Sequence, residues 1–99
     1  MNPPVSTSKP TFMLYPEPRS CGFALTFNNS VTVSVRWGTM NYSDGCTTAE
    51  CAAFLGHGFI HVPGFMYGSD DVLSHLSSDQ VAQFIETAAR LDTPEDFLP

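Results

Sequence analysis

The chain has 99 residues, of which 42% are hydrophobic and eight are Phe, and its formal net charge is −6. This composition is typical of one globular domain and excludes a disordered chain, and no apolar run reaches the roughly 20 residues that a transmembrane helix needs. The N-terminus lacks the apolar segment of a secretory signal, and the three cysteines are an odd number for a disulfide framework. We therefore expect a cytoplasmic protein whose thiols are free or buried.

The charges are distributed unevenly along the chain. Residues 1–49 contain three basic and two acidic residues, a net charge of +1, whereas residues 50–99 contain eight acidic residues and only Arg90 as a base, a net charge of −7. Such an acidic half repels phosphate, which argues against direct nucleic-acid binding. It suits docking onto a basic surface, including one that normally holds nucleic acid. The simpler alternative is that these carboxylates only keep a small protein soluble.

The first 20 residues contain five prolines and predict an extended arm that precedes a single domain of residues 21–99. Within the arm, the apolar segment 11–15 predicts a short edge strand or a segment that packs on a partner subunit.

Residues 21–37 predict a β-hairpin, because apolar side chains alternate with small or polar ones on both sides of Asn28-Asn29-Ser30. A two-residue loop would divide the apolar side chains between the two faces of the sheet. A three-residue loop instead pairs Phe27 with Val31 and gives one continuous apolar face, so we predict this register. Asn29 is expected to adopt the left-handed conformation that such a loop needs, since Asn tolerates it better than Ser.

Residues 49–62 fit two interpretations. Residues 49–55 can begin a helix, but Gly56-His57-Gly58 interrupts it after six residues. A second hairpin, with strands at 50–55 and 59–62, fits these lengths better. The following Phe65-Met66-Tyr67 supplies aromatic and thioether groups either to an interface or to the open end of the sheet.

The last third of the chain predicts helix. Residues 70–76 suggest a short helical turn with Ser69 as its N-cap. A capping box of Ser77 and Gln80, or an equivalent start at Ser78, opens a helix over residues 79–91, whose apolar residues recur at three- and four-residue spacing. The predicted fold class is therefore α+β, a small antiparallel sheet of four to five strands in two hairpins packed on a C-terminal helix.

Residues 22–50 resemble a family of short proteins of phages and prophages. The family pattern is F-x-N-G-x-T-V-S-V-x-W/F-G-x-x-N-Y-C/S-D followed by T-A-E, and this chain matches it at Phe27-Asn28-Asn29, Thr32–Gly38, Asn41–Asp44 and Thr48-Ala49-Glu50. Ser43 stands where Cys is common. The resemblance covers about a third of the chain. It implies a phage setting, in which small acidic proteins are often inhibitors of host defence.

Cys46, Cys51, His57 and His61 have the ligand types of a zinc site, in the order C-x4-C-x5-H-x3-H. The central spacer is short for a zinc finger and no C-x2-C knuckle is present, so we favour buried thiols and surface imidazoles, and metal binding by these four side chains stays an open question. No pattern places a thiol beside a histidine, His75 included, with a third orienting group. We therefore expect no enzyme, no metal and no cofactor.

The function that these observations favour is that of a non-enzymatic phage inhibitor of a host defence complex, above all a CRISPR effector, whose nucleic-acid-binding surface it blocks. The predicted contact residues are acidic or aromatic: Asp70, Asp71, Asp79, Glu86, Asp92, Glu95, Asp96, Tyr42 and Tyr67. One alternative is an oligomeric sponge for a nucleotide signal that binds phosphate through Arg36 and Arg19, and another is a structural module of the phage. No direct nucleic-acid or membrane binding is expected, and the exposed edges of the hairpins favour a homodimer.

Overall fold

The computed structural model describes residues 11–14, 20–38 and 48–99. Six strands form one antiparallel sheet: β1 Thr11–Leu14, β2 Ser20–Thr26, β3 Val31–Gly38, β4 Ala49–Leu55, β5 Gly58–Ile60 and β6 Leu73–Leu76. The helix α1 (Ser78–Ala89) and a 3₁₀ helix (Pro94–Phe97) follow. The predicted α+β class and both hairpins are confirmed, with one strand more than expected.

The strand order is β1-β2-β3-β4-β5, and β6 pairs with β4 next to β5. Because β5 and β6 pair with opposite ends of β4, they share one edge of the sheet. Among the described residues, β1 pairs only with β2 and forms the other edge. The edge strand predicted from the apolar segment of the arm is therefore confirmed.

The first hairpin has the predicted register, with Phe23 opposite Val35 and an N–H of Phe27 that donates to the carbonyl of Val31 at 2.9 Å. The predicted left-handed residue is wrong, because Ser30 and not Asn29 has a positive φ, of 73°. In a three-residue loop of this kind a type I turn comes first and the third residue is left-handed. The position in the turn therefore outweighs the greater intrinsic tolerance of Asn.

The second hairpin is also confirmed, and the alternative helix at residues 49–55 is wrong. Leu55 lies opposite Gly58, which leaves a two-residue loop of Gly56 and His57. Gly56 has a φ of 65°. A positive φ at the first loop residue is the pattern of a type II′ turn, whose twist matches the paired strands and for which Gly is preferred.

The helical turn predicted before α1 is wrong, since residues 73–76 form strand β6 and Ser69 caps no helix. Ala49 pairs with Leu76 and Cys51 pairs with Leu73, so one residue of β4 lies opposite two residues of β6, and β6 contains a bulge. His75 is left-handed within it, with a φ of 57°. The bulge turns both Leu73 and Leu76 into the core, and this produces the three-residue apolar spacing that resembles a helix.

The core lies between the sheet and α1, which packs mainly on β3, β4 and β6. The capping box of Ser77 and Gln80 is confirmed as the start of α1. The core consists of small and branched side chains around one phenylalanine: Val31, Val33, Val35, Ala49, Cys51, Ala53, Ile60, Val62, Leu73, Leu76, Phe84 and Ala88. No helix among the described residues is long and apolar enough to cross a membrane.

The face of the hairpin opposite the core carries small and polar side chains, and the middle row of this face is buried. Ala24, Ser34 and Ala52 lie opposite one another on β2, β3 and β4, and all three are buried. Two residues further along β3 and β4, the same face carries the larger side chains of Arg36 and Phe54. Because side chains of the same face stand side by side, these neighbours shield the small ones from water.

Candidate functional site

The predicted acidic contact residues lie on the segments that follow β5. Six of them are exposed, and we refer to these six together as the acidic surface: Asp70, Asp79, Glu86, Asp92, Glu95 and Asp96. Asp79 lies in the first turn of α1, and Glu86 lies two helical turns later. At a rise of about 1.5 Å per residue, their carboxylates project from the same side of the helix about 10 Å apart.

The acidic surface has one cationic neighbour on its own half of the chain. Arg90 is the only basic residue after Arg36, and its guanidinium lies 3.2 Å from the carboxylate of Glu86, one helical turn away. Both side chains are more than 60% exposed, and ion pairs of this kind contribute little because water and salt screen them. The excess of negative charge on this half of the chain is therefore largely uncompensated.

Asp71, in contrast, belongs to a structural cluster. An oxygen of its carboxylate lies 2.8 Å from Nε2 of His61, and the ring of Tyr67 stacks on the imidazole with a centroid distance of 4.0 Å. The backbone N–H of Val62 donates to the Tyr67 hydroxyl at 3.1 Å. The main-chain N–H of His61 donates to the carbonyl of Phe97. These contacts hold the segment before β6 and the 3₁₀ helix against the end of β5.

The cluster contains a carboxylate and an imidazole, which is the supporting half of a nucleophilic triad. Cys51, the thiol considered for this chemistry, has no exposed surface. Burial, with a smaller effect of Glu50, raises the pKa of this thiol to about 12, so it is protonated at neutral pH. Burial also raises the pKa of Tyr67. Both groups therefore act as neutral packing groups.

The side chains considered for zinc are separated in the fold. Cys51 lies in the core, and His57 is exposed in the turn of the second hairpin. Nε2 of His61 is hydrogen-bonded to the carboxylate of Asp71. Cys46 lies outside the described residues. Within the described segments no three His, Cys, Asp or Glu side chains form a group that could hold a metal ion.

A groove of about 650 Å³ lies beside the acidic surface, between residues 64–70, β6 and the first turns of α1. Its lining combines amide, hydroxyl, carboxylate and apolar groups, among them Gln80, Gln83, Ser69, Asp70, Met66 and Phe65. Phe65, which lines the groove, packs edge-on against the core residue Phe84 with a centroid distance of 5.4 Å. Met66 is 95% exposed. Of the segment Phe65-Met66-Tyr67, the two aromatic residues therefore pack inward and the thioether faces solvent.

The remaining predicted ligands are placed less favourably. Arg36 is half-buried on β3, directly opposite Glu50 on β4. Opposite charges at directly facing positions attract each other, so this guanidinium has a carboxylate neighbour that competes with a phosphate. Arg19 and Tyr42 lie outside the described residues. The described part of the chain thus supports the acidic surface better than a phosphate site.

Two contributions were missed in the sequence. Gln80 and Gln83 face the groove, but glutamines on an exposed helix carry no signal of a binding site. The side chain of Asn29 reaches 59 residues along the chain and donates to the carbonyl of Ala88 at the end of α1 at 2.9 Å. Its position two residues before an apolar strand indicated only a turn.

The site is therefore defined by its own chemistry: an acidic surface, a mixed polar and apolar groove and an exposed thioether. Comparisons with protein-family models, with curated proteins and with solved structures find no match to this chain.

Proposed function

We propose that this chain is a non-enzymatic, phage-encoded inhibitor that binds a host defence complex and occupies a basic surface where that complex holds nucleic acid. A CRISPR effector is the partner that fits this description best. The resemblance of residues 22–50 to phage and prophage proteins supports the setting.

The observation that carries the proposal is the exposure of the acidic surface. Its six carboxylates are exposed to water, and the only guanidinium on that half of the chain, that of Arg90, forms an ion pair with Glu86. A surface of one sign attracts a partner of the opposite sign over a distance of about a Debye length and speeds association. Nucleic-acid-binding channels are basic, so a protein with this surface competes with the nucleic acid for them.

The groove adds an apolar contact that the charged side chains do not provide. Interfaces are usually anchored by a few apolar side chains inside a polar rim. Met66 is almost fully exposed beside Asp70, and unbranched thioethers adapt to varied partner surfaces. Met66 is therefore the proposed anchor and the carboxylates are the proposed rim.

The first test is biological and direct. The chain is expressed in bacteria whose CRISPR system restricts a phage, and plaque formation is counted with and without expression. We expect plaque formation to recover, and we expect the tagged chain to co-purify with the effector but not with an effector already loaded with target DNA. Failure to restore plaques together with unchanged binding to the loaded effector would contradict the proposal.

The second test locates the contact on α1 with two variants of equal net charge. D79N/E86Q removes two carboxylates of the acidic surface, whereas A82K/A89K adds two positive charges at exposed positions of the same helix. If Asp79 and Glu86 make specific contacts, D79N/E86Q weakens binding to the effector much more than A82K/A89K. Equal weakening would indicate a general charge effect, and unchanged binding of both would remove α1 from the interface.

A further inference from the structure

We propose that the edge strand β1 is an interface between two copies of this chain, which pair antiparallel through Phe12 and Leu14 and join their sheets across a two-fold axis. This inference does not depend on the proposed function. The interface lies at the opposite edge of the sheet from β6 and the groove.

The first observation is that β1 is apolar and bare. Phe12 is 87% exposed, Leu14 is 77% exposed and Met13 is 55% exposed. Soluble proteins usually protect an edge strand with a charged side chain, often Lys. None of the four residues of β1 is charged. The unpaired backbone groups of an apolar edge of this kind are a template for pairing with another strand.

The second observation is which backbone groups point away from the sheet. The N–H of Phe27, directly after β2, donates to the carbonyl of Val31 on β3. Because the backbone groups of successive residues in a strand point to opposite sides, Ala24 and Thr26 on β2 direct their N–H and C=O groups toward β1. Ala24 faces Met13 and Thr26 faces Thr11. The N–H and C=O groups of Phe12 and Leu14 therefore point outward, where the described residues offer them no partner strand.

The third observation concerns the length of this free edge. The residue two positions before Phe12 is Pro10, and the residue two positions after Leu14 is Pro16. Proline has no N–H, so the donors at the outward positions of this segment are those of Phe12 and Leu14. A second copy satisfies both when Met13 lies opposite Met13 of the second copy. Phe12 then faces Leu14 in both directions, and four hydrogen bonds form.

The fourth observation is the charge distribution, which favours a second copy over a charged partner. Neither β1 nor β2 contains a charged residue. With strands about 4.8 Å apart, β1 lies about 19 Å from β6, next to which Asp70 and Asp71 lie. This separation exceeds two Debye lengths of about 8 Å at physiological ionic strength. Two copies that carry −6 each can therefore meet at β1 without strong repulsion.

The two-fold symmetry of the dimer determines on which face of the joined sheet each side chain of β1 lies. Two identical antiparallel neighbours are related by an axis perpendicular to the sheet, so both copies keep the core face on the same side. Phe12 pairs with Leu25, and Leu25 pairs with Val33 of the core. The exposed rings of Phe12 therefore meet Leu14 of the other copy on the core side. Such aromatic–aliphatic pairs across strands stabilise a sheet.

The test uses the position on the axis, Met13, whose side chain lies on the face opposite the core. The molar mass of the full chain is measured by sedimentation velocity over a range of concentrations, for the wild type and for M13Q, M13K and M13E. We expect the wild type and M13Q to dimerise, whereas M13K and M13E each dimerise at least about tenfold more weakly because like charges face each other on the axis. Circular dichroism checks that each variant is folded.

A mixture of two charged variants tests the register in which the two copies of β1 pair. M13K and M13E combined in equal amounts should form a heterodimer at concentrations at which each alone is a monomer. A wild type that stays monomeric at its highest soluble concentration would overturn the proposal. An unchanged dimer in M13K would assign dimerisation to another surface, and a mixture that stays monomeric would refute the register.

Discussion

One side chain, that of Asn29, joins the first hairpin to the end of α1 through hydrogen bonds. Nδ2 of Asn29 donates to the carbonyls of Ala88 at 2.9 Å and of Leu91 at 3.0 Å, and its Oδ1 accepts from the N–H of Val31 at 3.1 Å. N29A removes these three hydrogen bonds, each worth about 0.5–1.5 kcal/mol net, and a longer one from Nδ2 to the carbonyl of Ala89 at 3.5 Å. Because the site is partly accessible to water, we expect a loss of about 2–3 kcal/mol in the free energy of unfolding. For a domain of this size the melting temperature would fall by about 10–20 °C.

The assay is urea unfolding followed by the fluorescence of Trp37, the only tryptophan of the chain. N28A is the matched control, since Asn28 is exposed in the same turn, and it should change stability by less than about 0.5 kcal/mol. N29D should be at least as damaging as N29A at neutral pH, because it brings a carboxylate to the negative end of the helix dipole. If N29A is as stable as N28A, the reasoning is refuted.

Three further predictions concern stability. Burial raises the pKa of the Cys51 thiol to about 12 in the folded state, against 9.0 for an unperturbed thiol. Between these two values the thiol of the unfolded chain loses its proton, whereas that of the folded chain keeps it. Stability should therefore fall as pH rises from 9, by about 1.4 kcal/mol per pH unit, and pH-dependent urea unfolding should show that C51A lacks this slope. Y67F keeps the stacked ring but leaves the N–H of Val62 without its acceptor, and calorimetry should show a loss of about 1–2 kcal/mol. S77A removes the N-cap of α1 and should cost about 1 kcal/mol in the same measurement, whereas S77D should retain most of the stability.

The register of the first hairpin could be predicted because a shift by one residue would have moved every apolar side chain to the other face. The start of α1 could be predicted because a capping box is a local pattern. Strand β6 could not, because its pairing with β4 joins residues more than twenty positions apart and its bulge imitates helical spacing. Ser30 was missed for a different reason, since turn geometry and residue tolerance favoured different positions.

Part of the candidate site could also be predicted from the sequence, and part of it could not. Exposure of charged side chains is the usual outcome in soluble proteins, so the positions of Asp79 and Glu86 on the surface of α1 followed from the sequence. The separate role of Asp71 did not, because its bond to His61 depends on how residues 63–72 return to β5. The groove also requires tertiary structure, since three separate segments line it.

A dimer formed through β1 would give the proposed inhibitor a defined geometry. A two-fold axis perpendicular to the sheet places both α1 helices on the same side of the dimer. Because α1 lies over β3 and β4, between two and three strand spacings from β1, the two helices would be about 30 Å apart. Two acidic surfaces at this distance match an extended basic channel better than one surface with carboxylates about 10 Å apart. Loss of the dimer in M13K would then reduce avidity for the effector while the contact made by each acidic surface is retained, whereas D79N/E86Q would weaken that contact in monomer and dimer alike.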